Sequence, residues 1–377
     1  MSIAIAGMGW VTPLGSGVDL VWKRLLKGEE AAPEKIAAQS SDQSYTVFRV
    51  PDSALANLPP HPRLRRVSAI SRFAAAAGLE ALANAGVKID SKNADRIALV
   101  FAISNGGVIY TRRFYSDIVE GGAQSASPLL FPETVFNAPA SHLAAMVGTT
   151  GASYTLVGDG AVGLLAIRMA EDLMTNEALD YCLVVGAEEA DWLLCDAYRQ
   201  WRLLRPQPPV EPFRKFPRGM ILSEGAGAVL LTRSGSIKIE RTHAGADYRR
   251  RNEAAEIVKG VLFDLIKTDT DFIIASANGT FIDKAECDAI SRVASSAITY
   301  TVKPALGESV GAGGLWQIIV AAQGVCHGQL PPLLHPPAEI PFRIPTAPIR
   351  LKTSRRAVVI SCGLNQQIAG LSLGGEN

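Results

Sequence analysis

The chain has 377 residues, 48% of them hydrophobic, with 37 Lys and Arg set against 36 Asp and Glu. That length and apolar content supply a buried core and exclude disorder, and a net charge of +1 removes the bulk electrostatic case for nucleic acid or a membrane surface. Five scattered cysteines without a C-x-x-C pair argue against a disulfide framework or structural zinc and fit a reducing cytoplasm, with neither metal nor cofactor expected.

The first nine residues are apolar for too short a run and lack a basic leader, so they do not read as a signal peptide. No run reaches the roughly 18 apolar residues of a membrane span. Even the Ala-rich stretch 73–85 carries Glu80 and Asn84.

Short β-branched runs alternate with longer amphipathic ones, as in a sheet covered by helices. The first strand is predicted over 3–6, ending at Gly7 and Gly9. A variable stretch runs to Pro62, and a helix follows over 67–85, stopped by Gly86. Next come a strand over 97–103, a turn at Gly106 and Gly107, a helix near 109–119 and a Gly/Ser/Pro loop over 121–132. Residues 138–147 read as a helix and 154–157 as a strand, after which Gly158, Asp159 and Gly160 lead into a helix over 161–174. Strands are predicted over 182–185 and 226–231.

The second half repeats this rhythm: strand 237–240, helix 253–266, strand 272–275, helix 284–295, strand 298–302 and a glycine-led helix 311–325. A proline-rich connection over 331–348 precedes strands 357–361 and 368–373. The run CLVVGA (182–187) followed by GAVLL (227–231) is echoed by VVISCG (358–363) followed by GLSL (370–373). That recurrence predicts two related α/β halves, dividing near 234–236.

Several segments, in order along the chain, resemble the β-ketoacyl synthases of the thiolase superfamily. IAGMGWVTPLG (5–15), with Trp22 and Leu25, resembles their opening strand and first helix. SPLLFP (127–132) and FNAPA (136–140) resemble the stretch before the nucleophile strand, and GASYT (151–155) and VGAEEA (185–190) flank the nucleophile helix as in that family. PFRK (212–215) and SEGAGAVL (223–230) are similar to its "PFD…GEGAG" segment. The resemblance implies a thiolase-like α/β fold, a duplicated α-β-α-β-α layering with two mixed five-stranded sheets, in halves 1–235 and 236–377.

In that family a cysteine at a helix N-terminus accepts the acyl chain, and two histidines assist decarboxylation and stabilise the oxyanion. The frames are kept here and the groups are missing. The "TACASG" turn reads GDGAVG (158–163), with Gly160 at the thiol position and Asp159 beside it disfavouring an anion. The "NAHGT" segment reads SANGT (276–280), with Asn278 at the histidine position. The second histidine segment reads KPALGESVGAGG (303–314), placing Glu308 where a neutral or cationic donor should stand and retaining Lys303. The segment after Thr280 is about two residues shorter than in the family. The closing "GFGGTN" loop reads GLNQQ (363–367), with Cys362 and Gly363 before Leu364 at the gate. Condensation by this chain alone is not expected.

Among silent members of the family, the resemblance is to chain-length factors, which pair with an active synthase and wall the tunnel for a growing carrier-bound chain. These often have an acidic residue just before the missing cysteine, as Asp159 stands here. Gly160 then reads as space, a loop glycine being the plainer alternative. Two other classes are open: a homodimeric scaffold, and an acyltransferase or hydrolase using Cys362 with Glu308 or Asn278, against which stands an ordinary buried thiol. Arg63, Arg65, Arg66 and Arg72 flank a helix start where related synthases present a basic patch to acyl carrier protein; solvated surface charge is the alternative. Arg249 to Arg251 read as solvated. Leu130, Phe131 and Phe136, in proline-interrupted apolar segments, are candidates for the interface with a synthase partner and for the deep tunnel. His142, His243, His327 and His335 fall in no motif.

Overall fold

The computed structural model describes residues 3–39, 41–351 and 355–375. Ten strands carry the architecture: β1 (Ile3–Thr12), β2 (Ile97–Ile103), β3 (Ser153–Val157), β4 (Tyr181–Glu188), β5 (Gly225–Thr232), β6 (Ile237–Thr242), β7 (Phe272–Ile274), β8 (Ile298–Tyr300), β9 (Arg356–Cys362) and β10 (Gln367–Gly375). Their order across the sheet is β8-β7-β9-β10-β6-β1-β5-β4-β2-β3.

The two groups of five have the same pairing. In the first, β2 lies parallel to β3 and β4, and β5 is antiparallel to β4 and β1. In the second, β7 lies parallel to β8 and β9, and β10 is antiparallel to β9 and β6. The expected two sheets are nonetheless one continuous sheet, because β1 and β6 pair antiparallel through Ile3–Ile239, Ala4–Lys238 and Ile5–Ile237.

Helices make three layers around the folded sheet. Outside, α2 (Ala69–Asn84) packs on β1, β4 and β5, and α4 (Ala138–Val147) packs on β2 and β3. In the centre, α5 (Val162–Leu173) and α10 (Gly313–His327) touch strands of both groups. On the far side, α7 (Ala254–Leu265) covers β9 and β10 and packs against α8 (Phe281–Val293). α10 is buried all round from Gly313 to Val325, as a central helix must be. Two glycines let the central helices meet: a Cβ at Gly163 would lie 3.0 Å from the Leu315 nitrogen and 3.2 Å from Gly314.

β1 runs past the predicted end at Gly7 and Gly9. Those glycines do not stop the strand; they admit the backbone of α2, whose Ala77 and Ala81 carbonyls occupy the space of any added Cβ. Helix α8 begins at Phe281 rather than 284 because Thr280 caps it, accepting from the Ile282 nitrogen. The remaining helices are α1 (Val18–Leu26), α3 (Val108–Gly121), α6 (Trp192–Gln200) and the single turn α9 (Lys303–Leu306). Helix α6 and a hairpin of Pro33–Ala37 with Ser44–Phe48 are elements that the periodicity did not reveal.

Candidate functional site

The loop entering α5 places Gly160 against the closing loop. Its φ lies outside the left-handed region, and a Cβ would sit 3.6 Å from the Gly363 Cα and 3.9 Å from the Cys362 carbonyl. The backbone therefore does not require glycine, and a side chain has room. The Gly160 carbonyl accepts from Ser361 Oγ at 2.7 Å.

Asp159 is tied to the same loop. Its carboxylate accepts the Asn365 N–H at 2.6 Å and the Ala161 N–H at 3.4 Å, and its own N–H donates to Gln367 Oε1 at 3.3 Å. Burial, with Glu308 adding negative charge, pushes the carboxyl up to about 6. Gly363 must lack a side chain, because a Cβ there would overlap the Asp159 oxygens.

Asp283 organises the loop after β7. Its carboxylate accepts the N–H groups of Asn278 at 2.8 Å, Gly279 at 3.0 Å and Phe213 at 2.7 Å. Complete burial still pushes it up to about 7. Asn278 so held accepts from Thr280 Oγ1 at 2.7 Å and donates Nδ2 to Glu308 Oε2 at 2.7 Å. The other oxygen of Glu308 takes the Lys303 ammonium at 2.5 Å. Asn278, Lys303 and Glu308 are 1%, 2% and 4% exposed, so this is a dry network with its charge cancelled inside. The Asn278 amide cannot move a proton, and the Lys303 ammonium is engaged by the Glu308 carboxylate.

Cys362 does not fit a nucleophile. Its thiol is buried, and desolvation together with Glu286 and Asp159 raises it far above its ordinary range. Its N–H donates to Ser276 Oγ at 2.9 Å, and that hydroxyl in turn donates to Glu286 at 2.6 Å. Burial pushes Glu286 up to about 8. Leu364 lines a cleft of about 710 Å3 with Asn105, Asp159, Trp201, Asp247 and Arg251. Arg251, read from the sequence as part of a solvated patch, has its guanidinium over the Phe281 ring at 4.6 Å and faces this cleft.

Farther out, Arg63, Arg65, Arg66 and Arg72 are all exposed, and none has an ion-pair partner among the described residues. Leu130 is half-buried, while Phe131 and Phe136 are exposed; the 131–134 turn packs against α3 and α4. His142 is engaged: its Nε2 meets Glu133 Oε1 at 2.6 Å, and Glu133 also accepts the Ser68 N–H at 3.0 Å, tying the 131–134 turn to α2 and α4. Among the described residues no His, Cys, Asp and Glu cluster suits a metal, and no helix is long and apolar enough to cross a membrane.

Asp283, Glu286 and the Glu133–His142 pair were not singled out from the sequence. For Asp283 a signal existed, since Thr280 followed three residues later by an acid is the spacing of a helix cap. Long-range pairs such as Glu133–His142 have no comparable local mark.

Two family models divide most of the chain: "Beta-ketoacyl synthase, N-terminal domain" matches residues 1–235 and "Beta-ketoacyl synthase, C-terminal domain" matches residues 236–336. The chain is 25% identical over 357 residues to Nodulation protein E of Rhizobium sp. (strain N33), covering 88% of this chain and 87% of that protein. It is 24% identical over 365 residues to 3-oxoacyl-[acyl-carrier-protein] synthase 2 of Vibrio harveyi, covering 88% of each. Among solved structures, "The ishigamide ketosynthase/chain length factor" superposes with a TM-score of 0.87 at 21% identity, over all of this chain and 99% of that one. With both halves matched by these models and the thiolase-type layering on the page, the chain belongs to the β-ketoacyl synthase family.

Proposed function

We propose that this chain is a non-catalytic, chain-length-factor-type subunit that pairs with an active β-ketoacyl synthase in the cytoplasm. There it walls the tunnel and limits elongation of acyl or polyketide chains borne on acyl carrier protein. The observation that carries this reading is the closed Asn278–Glu308–Lys303 network opposite a residue, Gly160, that has room for a thiol and none. A site built for condensation leaves its donors aimed at substrate; here they are spent on one another. In this reading residues 1–235 and 236–377 are two halves of one duplicated unit.

Partner and carrier follow from the surface. β3 is an open sheet edge whose Tyr154 and Val157 are exposed, and Tyr115, Phe131 and Phe136 are further exposed apolar side chains. Such an edge is a template for pairing with another chain. The free arginines at 63, 65, 66 and 72, two of which border a shallow pocket with Pro60 and Leu64, supply a basic face for an acidic carrier protein. The name of one relative, 3-oxoacyl-[acyl-carrier-protein] synthase 2, and of one structural neighbour, a ketosynthase/chain length factor, agree with this reading.

The test is co-purification with candidate synthases, followed by product-length analysis with and without this subunit. A stable complex and a changed product length support the reading. The chain alone should release no CO2 from malonyl-carrier protein and should not be labelled at residue 160. Either signal, persisting after Cys362→Ala, would sink it. The open edge of β3 also suits antiparallel pairing with a second copy, which makes a homodimeric scaffold the second reading. A stable homodimer that captures no synthase would favour it.

A further inference from the structure

Helix α7 turns Ala254, Val258, Val261, Leu262 and Leu265 inward. Its outer face carries two features for which the chain itself has no use. Gly260 stands in the middle of the helix, where glycine weakens it. Its φ lies outside the left-handed region and a Cβ would meet nothing within 4 Å, so neither backbone nor packing calls for glycine. One turn on, Phe263 is 76% exposed. Around Gly260 lies a groove of about 570 Å3, bounded by Glu256, Lys259, Phe263, Arg292 and Val293. A hole and an aromatic knob therefore sit side by side on a surface that is otherwise charged.

We propose that α7 is a self-association face, on which a second copy of this chain docks antiparallel with each Phe263 seated over the partner's Gly260. Charge selects this occupant and fixes the register. A two-fold axis crossing α7 midway between positions 260 and 263 sets Gly260 opposite the partner's Phe263. The same operation sets Lys259 opposite the partner's Asp264 and Glu256 opposite the partner's Lys267, so every charged meeting is of opposite sign and occurs twice. With the axis moved to position 260, Glu256 would face the partner's Asp264; at position 263, Lys259 would face the partner's Lys267. Like charges disfavour both alternatives.

The charged residues are free to take part. Within the chain, Glu256 meets Lys259 at 2.7 Å and Arg292 at 2.6 Å, Lys267 meets Glu240 at 2.9 Å and Asp264 meets His243 at 3.5 Å. Surface pairs of this kind hold little energy and can be shared across a contact. Because α7 covers β9 and β10, in the other half of the sheet from β3, the contact leaves the β3 edge free and does not depend on the pairing proposed there.

The test follows the full chain without a synthase by sedimentation velocity, with Tyr154→Asp and Val157→Asp present so that pairing through β3 is removed and the two faces report separately. A contact of one helix from each side is small, so a dimer forming at roughly 10 µM is expected. Gly260→Gln should split two readouts. Filling the hole with a good helix former raises the urea midpoint of the dilute monomer, yet weakens self-association about tenfold or more. Phe263→Asp should weaken it about thirtyfold or more. Lys259→Glu and Asp264→Lys each put two like-charge pairs into the contact and should lose roughly tenfold, while the double variant restores opposite signs and recovers the wild-type affinity. A monomer persisting at about 100 µM, a dimer unchanged by Gly260→Gln or Phe263→Asp, or a double variant no better than its parents overturns the proposal. Should the β3 background not fold, Gly260→Gln in the otherwise wild-type chain decides the question: a lower self-associated mass supports it and an unchanged mass overturns it.

Discussion

The two ends of the sheet are equivalent in the duplicated topology and opposite in finish. At the C-terminal end, β8 is buried throughout, and its outer edge is occupied by the proline-rich connection: the Thr299 N–H donates to the Arg343 carbonyl at 2.8 Å, and Ile298 bridges Arg343. At the N-terminal end, β3 pairs only with β2 among the described residues, and Tyr154 and Val157 are 45% and 52% exposed. Proteins usually cover or blunt such an edge. An edge closed in one half and left open and apolar in the other is where the pairing proposed above would take place. The same contrast separates the buried, self-neutralised Asn278–Lys303–Glu308 network from the open cleft at Asp159.

Matched substitutions break this comparison in different ways. Ile298→Asp places a charge in the closed edge with no partner and is expected to cost about 4 kcal/mol or more, read as a lower urea midpoint. Lys303→Met strands Glu308 in the dry network and is expected to cost about 3–5 kcal/mol by the same measurement. Adding Glu308→Leu to Lys303→Met should recover most of that loss, since it removes the orphaned charge; a double variant as unstable as the single would refute the account. At the open edge, Tyr154→Asp with Val157→Asp should leave the urea midpoint near wild type but weaken capture of a partner by about 2 kcal/mol or more, roughly 30-fold. If instead the fold melts, the edge is structural rather than an interface. The smallest effect is reserved for Gly160→Cys, where the Cβ has room: stability within about 0.5 kcal/mol, a thiol that reacts with iodoacetamide, and still no condensation. CO2 release from malonyl-carrier protein by that variant would show that the Lys303–Glu308 pair does not silence the site.

Much of the core architecture was legible because its signals are local. Buried β-branched runs such as 97–103, the helix pattern of 138–147 and the echo of 182–187 in 358–363 each declare themselves within a few residues. Helix α6 did not, being only nine residues long, and the hairpin joins an exposed strand, Pro33–Ala37, to a buried one, Ser44–Phe48, anchored by distant pairing of Val47 with Leu222. Gly160, Asn278 and Glu308 could be singled out because a glycine stands within two residues of each, in segments that read as motifs. That Asn278 and Lys303 grip the same carboxylate could not, since the residues are 30 and 5 positions from Glu308 and meet only through the packing of the β7 loop on α9.

The sequence by itself determined the fold class and the glycine, amide and carboxylate at residues 160, 278 and 308, because these are matters of residue type at spaced positions. Only the tertiary structure decided what these residues and their neighbours touch. Burial set the carboxyl of Asp159 near 6, paired Lys303 with Glu308, and sank Cys362 out of reach. It also left β3 uncovered while covering β8. Desolvation, charge pairing and edge protection depend on which distant residues come together, and no local pattern in the chain encodes that.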